Sequence, residues 1–295
     1  MSLIWADGID IEYEDVGSAD QEVVLLIMGM GAQLTMWPVE MCEELTRRGY
    51  RVVRFDNRNA GLSTKFANFG LPDHEAVAEA KRSGAPLPIP YSLSDMAADA
   101  VGLLDALSVP MAHIVGASMG GMIAQLVATD YPERTLSLTV IMSTAANPDI
   151  PLIGPKAMAI FTPPPADDAA SVIEHAAMTT MLRGSPAYPT AIDAIRAAAR
   201  ADYERDYNPD GVARQMAAVA VSLDRRAKLR TVKRPTIVVH GTDDPILPIE
   251  AARDIATSVP DAELRIIDGM GHDFSVGLVP IFVDAIASVA AKSGE

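Results

Sequence analysis

The stretch "HIVGASMGGM", His113–Met122, decides the fold, because it carries the pattern Gly-x-Ser-x-Gly where one structural element gives way to another. "AHIVG" is an apolar run of strand length, and "MGGMIAQLVATDYP" has apolar residues at helical spacing until Pro132 closes the pattern. Ser118 therefore lies at a predicted strand-to-helix junction. Gly116 and Gly120 flank it where a tight turn has no room for a Cβ. This context favours a nucleophilic serine over an ordinary one.

Apolar runs of strand length alternate with helical patterns along much of the chain, which is typical of βαβ units around a mainly parallel sheet. The N-terminal segments instead predict a hairpin that turns at Asp7 and Gly8. The remaining predicted strands are "EVVLLIMG", "YRVVRFD", "AHIVG", "LSLTVIMST", "RPTIVVHG" and "AELRIIDG". The sequence thus predicts an α/β protein with a mostly parallel, doubly wound sheet of about eight strands.

The strand rhythm stops between Asn147 and Arg226, where "FTPPPADD" reads as a linker and three helical patterns follow it. We predict that residues 147–226 form a helical cap over the carboxyl edge of the sheet. Residues 1–146 and 227–295 then form the core. A smaller insertion, "LPDHEAVAEAKRSGAPLPIPY", predicts one short helix that stops at Gly84.

Composition narrows the class of protein. Of the 295 residues, 49% are hydrophobic and 21% are charged, the balance of an ordinary globular protein. No run approaches about eighteen consecutive apolar residues, so we expect no membrane span. The N-terminus has no basic segment followed by an apolar run, so we expect a cytoplasmic protein. The net charge of −15 argues against a nucleic-acid partner.

Metal and cofactor signatures are missing from the sequence. It has no His-Glu-x-x-His motif and a single cysteine, Cys42, which we expect to be a buried structural thiol. "GMGAQL" lacks the Lys-Ser/Thr of a P-loop and the third glycine of a dinucleotide fingerprint. We therefore expect no metal, no cofactor and a small-molecule substrate. The sequence leaves open whether the protein is a monomer or a homodimer.

Two loops downstream of Ser118 have the residue types that a serine nucleophile requires. "HGTDDPILP" follows one predicted strand and "GMGHDF" follows the last one. In this order the chain resembles the α/β-hydrolase family, over nearly its whole length, because that family orders nucleophile, acid and histidine along the chain. The resemblance implies an α/β-hydrolase fold with Ser118 as nucleophile, Asp244 as acid and His272 as base. The family spacing favours Asp244 over the adjacent Asp243.

The resemblance also implies an oxyanion hole made by the backbone N–H groups of Met30 and Met119. Many family members have His-Gly in the first of these loops, and this chain has Met28 and Gly29 instead. The support of that loop must therefore differ. Methionines after both strands favour an apolar, adaptable pocket. The pocket candidates are Gly29, Met36, Met178 and Met216.

The activity that the resemblance implies is a carboxylic ester hydrolase. With "VVRFDNRNAGLST", the chain looks most similar to bacterial esterases related to the aclacinomycin methylesterases. We expect a serine carboxylesterase that hydrolyses neutral, short to medium chain esters, methyl esters among them, through an acyl-enzyme. A lactonase, a C–C bond hydrolase or a cofactor-free perhydrolase could use the same triad. A ligand receptor on the same fold is the non-enzymatic alternative.

Other charged and titratable residues have structural interpretations. We expect His240 to be a core residue at the end of a strand, His113 to begin a strand, and His74 and His175 to lie in surface helices. Arg58 could bind an anion, but a salt bridge with Asp56 or another carboxylate is the favoured interpretation.

Overall fold

One sheet of eight strands forms the centre of the protein in the computed structural model, which describes residues 1–150, 159–162, 164–166 and 168–294. Their order across the sheet is β1-β2-β4-β3-β5-β6-β7-β8. The strands are β1 Ser2–Ala6, β2 Ile9–Val16, β3 Val23–Ile27, β4 Arg51–Phe55, β5 Ala112–Ala117, β6 Thr135–Ile141, β7 Thr236–Gly241 and β8 Glu263–Ile267. The predicted α/β fold with a mostly parallel sheet is confirmed.

The sheet is antiparallel only at one edge. β1 and β2 form the predicted hairpin, whose turn residues Asp7 and Gly8 have φ of 48° and 81°. From β4 to β8 every neighbouring pair is parallel. All residues of β3 and β5 are buried, which explains why these strands are continuous apolar runs rather than alternating ones.

Helices cover both faces of the sheet. They are α1 Val39–Arg47, α2 His74–Ser83, α3 Leu93–Ala106, α4 Met119–Asp130, α5 Ala169–Arg183, α6 Ile192–Arg205, α7 Pro209–Ala220, α8 Arg226–Leu229, α9 Ile249–Ser258 and α10 Val279–Ala290. Apolar residues of α3, α4 and α9 share one core cluster with the sheet. Those of α1 and α10 share the other, which includes the buried Cys42. The sheet is therefore doubly wound.

The C-terminal segment Val276–Gly294 is long and apolar enough to cross a membrane by length and composition alone. Its α10 portion packs into the core beside β6 and β7. Phe282, Val283 and Ile286 on this helix are fully or almost fully buried. These contacts identify α10 as a core helix of the sheet.

Within the described residues, four helices, α5 to α8, lie between β6 and β7, in and just after the predicted insertion. Part of the predicted linker lies outside the described residues. The two ends of the insertion are tied together, because the backbone N–H of Arg225 donates to Ala145 O at 2.9 Å. The Arg225 guanidinium also donates to Thr144 O at 2.7 Å. The smaller insertion contains α2, which ends at Gly84 with φ of 71°, as predicted.

Arg58 forms a buried ion pair, which confirms the structural interpretation, with Asp99 of α3 as its partner. Two nitrogens of the guanidinium contact the two Asp99 oxygens at 2.6 Å each. The same guanidinium lies 5.1 Å from the ring centres of Phe66 and Tyr91. This bidentate pair joins the loop after β4 to α3.

Removing one partner of this pair should destabilise the fold strongly. Asp99→Asn leaves the Arg58 charge buried without its counter-charge, so we expect the free energy of unfolding to fall by about 3–5 kcal/mol in urea titrations. Asp130 pairs with Lys228 at the surface, and Asp130→Asn should cost less than about 1 kcal/mol. Equal losses in the two variants would contradict the structural role of the Arg58 pair.

Candidate active site

Ser118 occupies a strained turn between β5 and α4. Its backbone has φ of 55° and ψ of −120°, a conformation that side-chain-bearing residues rarely adopt. Two hydrogen bonds hold the turn in place. The N–H of Ser118 donates to Ile141 O at 3.0 Å, and the Ser143 hydroxyl donates to Ser118 O at 2.7 Å. Neighbouring β6 therefore fixes the turn that presents the Ser118 side chain.

Glycines around Ser118 let neighbouring backbone segments approach more closely than any residue with a Cβ would permit. A Cβ on Gly116 would overlap the carbonyl of Gly120, and a Cβ on Gly120 would overlap the carbonyl of Ile27 at the end of β3. A Cβ on Gly29 would lie 3.1 Å from the Ser118 Cβ. The loop after β3 and the start of α4 are thus in contact at Ser118.

Asp244 and His272 are joined by a short hydrogen bond. Nδ1 of His272 lies 2.7 Å from Oδ2 of Asp244, whose side chain is fully buried. The other oxygen, Oδ1, accepts the backbone N–H groups of Ile246 and Leu247 at 2.8 and 2.9 Å. Asp243 is exposed, and its carboxylate accepts the hydroxyl of Thr242 instead. Of the two adjacent carboxylates, the one that contacts the imidazole is Asp244.

The surroundings of Asp244 keep its carboxyl ionised. Burial raises the pKa of Asp244, but attraction to His272 and the hydrogen bond from its ring lower it. His240 and the Leu247 backbone N–H lower it further, so the pKa lies below its ordinary value. A buried carboxylate that stays charged can fix one tautomer of the imidazole and stabilise its protonated form.

The loops after β7 and β8 are held together at this end of the sheet. The N–H of Asp243 donates to Met270 O at 3.0 Å, and the N–H of His272 donates to Arg183 O at 2.7 Å. Within the described residues, no hydrogen bond joins Ser118 to His272. The structure therefore brings Asp244 to His272 and Ser118 to Gly29. In many enzymes the hydrogen bond between the catalytic serine and histidine is long in the free protein and shortens when the substrate binds.

The loop after β3 has supports that the sequence did not reveal. Asn57 donates to Met28 O at 2.8 Å, and the N–H of Gly31 donates to the side chain of Gln215 on α7 at 2.7 Å. Gln215 also donates to Arg58 O at 2.8 Å. These contacts support the loop in which this chain has Met28 and Gly29 where many family members have His-Gly. They hold the segment that includes Met30, the residue between Gly29 and Gly31.

The backbone N–H groups of Met30 and Met119 directly follow Gly29 and Ser118, the two residues in contact. Neither Met30 nor Met119 donates its N–H in any hydrogen bond between described residues. Met119 is the first residue of α4, where N–H groups have no partner inside the helix. Such donors at a helix N-terminus can stabilise a developing negative charge.

The structure distributes the predicted pocket residues over several elements. Gly29 lies against Ser118, and Met36 is half-buried in the short helix that follows the same loop. Met216 is half-buried on α7, whereas Met178 on α5 is exposed. Of the three methionines, Met216 is on the helix that bonds to the loop after β3 through Gln215.

The remaining histidines have structural environments. His240 is buried, burial lowers its pKa, and its Nε2 donates to Leu247 O at 3.0 Å. Its ring also lies 3.6 Å from Asp244 Oδ2, a contact that the sequence did not reveal. His113 lies near the start of β5, as predicted, and is buried against Ser137. Among the described residues, no group of His, Cys, Asp and Glu could hold a metal ion.

A family sequence profile described as alpha/beta hydrolase fold matches residues 22–276. The chain belongs to the α/β-hydrolase family. The prediction of a hydrolytic enzyme on this fold is thereby confirmed.

Individual α/β hydrolases resemble this chain over nearly its full length. It is 28% identical to rhodomycin D methylesterase of Streptomyces peucetius over 291 residues, which cover 92% of this chain and 91% of that protein. A hydrolase of known structure from Pseudomonas aeruginosa is 27% identical, with a TM-score of 0.72 and coverage of 98% and 97%. The enol-lactonase of Burkholderia xenovorans has a TM-score of 0.75 at 19% identity, covering 98% and 100%, and so shares the fold.

The two adjacent carboxylates allow a direct test of the imidazole contact. Asp244→Asn preserves shape but removes the charge and favours the wrong tautomer of His272, so we expect kcat for an ester to fall by about 10⁴. Asp243→Asn is the matched control, because Asp243 is exposed, and it should cost less than about tenfold. A large loss of kcat in Asp243→Asn, together with a nearly unchanged kcat in Asp244→Asn, would contradict the assignment.

Proposed function

We propose that this chain is a serine carboxylesterase in which Ser118 is the nucleophile, His272 the general base and Asp244 the residue that orients His272. The observation that carries the proposal is the strained backbone of Ser118 at the end of β5. It is combined with a buried carboxylate–imidazole pair on the loops after β7 and β8. The carboxyl ends of these parallel strands lie at one edge of the sheet, where doubly wound folds bind their ligands.

The proposed reaction has two stages. His272 takes the Ser118 hydroxyl proton as Oγ attacks the ester carbonyl, and the N–H groups of Met30 and Met119 stabilise the oxyanion. The intermediate collapses to an acyl-enzyme as His272 returns the proton to the leaving alcohol. Water then attacks the acyl-enzyme by the same route, which releases the acid and restores Ser118.

Neutral, short to medium chain carboxylic esters are the substrates we propose, methyl esters among them. The similarity to a rhodomycin D methylesterase supports ester hydrolysis. Apolar side chains around the site support an uncharged substrate: Met28 and Met119 are buried, and Met30 packs against the core. We propose further that residues 147–226 act as a cap that controls access, since α7 is bonded to the loop after β3.

Covalent labelling tests the nucleophile. A fluorophosphonate should form an adduct on Ser118, located by peptide mass spectrometry, and Ser118→Ala should lose labelling and at least about a thousandfold of kcat/KM. Ser108 is a suitable control, because it is an exposed serine that also has a positive φ, of 56°. Ser108→Ala should be labelled and active. Labelling elsewhere, or an active Ser118→Ala enzyme, would refute the proposal.

A substitution in the proposed cap tests its role in selectivity. Met216→Ala on α7 removes an apolar side chain without touching the triad, so we expect an altered preference among p-nitrophenyl esters of increasing acyl length. Fluorophosphonate labelling of Ser118 should persist. A folded Met216→Ala protein that could not be labelled would contradict a role limited to access.

A further inference from the structure

Arg183 is a cation beside His272 that the proposed mechanism does not use. It is the last residue of α5, and its carbonyl accepts the backbone N–H of His272 at 2.7 Å. Its Nη2 donates only weakly, to Thr180 Oγ1 at 3.4 Å. Its Nε is buried and has no hydrogen-bond acceptor in the part of the chain that the structure describes. Leaving a buried donor without an acceptor destabilises the protein, so a ligand that supplies the acceptor removes this cost and binds more tightly.

The charge of Arg183 is balanced at longer range by two carboxylates. Burial lowers the pKa of Arg183, and attraction to Asp273 and Asp202 opposes this. Neither carboxylate forms an ion pair with Arg183 within 4.0 Å among the described residues. Asp273 accepts the hydroxyl of Ser185, and Asp202 accepts that of Thr35 at 2.8 Å. The two carboxylates therefore supply charge to Arg183 but no acceptor to its Nε.

These partners place Arg183 where the inserted helices meet the loops of the site. Asp202 lies on α6, and Thr35 follows the loop that includes Met30. Asp273 follows His272 directly. A ligand group at the Arg183 guanidinium would thus lie between the inserted helices and the loops that contain His272 and Met30.

We propose that Arg183 donates a hydrogen bond from Nε to an uncharged carbonyl oxygen on the acyl part of the ester substrate. An anionic group would be repelled by Asp202 and Asp273, whereas a ketone oxygen adds an acceptor without charge. A methyl ester, one of the substrates proposed above, has no second oxygen on its alcohol, so the acceptor for Arg183 in such an ester lies on the acyl part. This inference rests on the proposed esterase function and narrows its substrate class to oxo-acyl esters.

Three esters of similar size test the proposal. Methyl levulinate has a ketone in its acyl chain, methyl valerate has none, and monomethyl succinate has a carboxylate. Each kcat/KM is divided by the rate constant for hydrolysis of the same ester by hydroxide, which corrects for its intrinsic reactivity. The corrected value for methyl levulinate should exceed that for methyl valerate by roughly tenfold to a hundredfold. Arg183→Met should reduce this ratio to near unity. Arg183→Lys, which retains the charge without Nε, should also lose most of it. A ratio within one enzyme does not depend on how much of a variant folds.

Arg200→Met is the matched control, because Arg200 is an exposed arginine on α6, and it should retain the levulinate preference. A preference that survives Arg183→Met would overturn the proposal. So would a preference for monomethyl succinate that Arg183→Met removes, since the ligand would then be a carboxylate. Fluorophosphonate labelling separates the two levels of inference. A wild-type enzyme not labelled at Ser118 refutes the esterase proposal, whereas a labelled enzyme with an Arg183-independent ratio refutes only this one.

Discussion

The close approach of α4 to the end of β3 is the constraint on which the site depends. Gly120 faces the carbonyl of Ile27 with no space for a side chain between them. The helix begins at Met119, directly after β5, and Ser118 between them has the strained conformation. The contact between α4 and β3 also brings the loop after β3 against Ser118 through Gly29. This contact brings the proposed nucleophile and both proposed oxyanion donors together, and the hydrogen bonds to Ile141 and Gln215 hold them there.

Electrostatics at the far side of the site follow from burial rather than from sequence position. Asp244 and Asp243 are adjacent and chemically identical, yet only Asp244 is enclosed by an imidazole and two backbone N–H groups. Burial alone would raise its pKa, and these partners reverse that effect. These partners leave Asp244 charged beside the imidazole, where it can stabilise a cation, whereas Asp243 only accepts the hydroxyl of Thr242.

Local patterns predicted much of this architecture, and contacts distant in sequence account for what they missed. The hairpin at Asp7, the helix that ends at Gly84 and the turn at Ser118 each depend on neighbours within a few residues, so their residue types reveal them. Gln215 is 184 residues from Gly31, and Asp99 is 41 residues from Arg58. Such pairs leave no periodic signal. The Nε of Arg183, which has no acceptor among the described residues, could not have been foreseen, because the pairing of a donor depends on the three-dimensional packing around it.

Gln215 has a consequence for how the molecule can move. It bonds the backbone of Gly31 on one side and of Arg58 on the other, while the nearby Gln33 bonds two carbonyls at the end of α6. Any swing of the inserted helices away from the sheet would break these bonds and free the segment that contains Met30. Opening would then also displace the proposed Met30 donor. An open molecule would then lack one of the two proposed oxyanion donors, so turnover would be confined to the closed state.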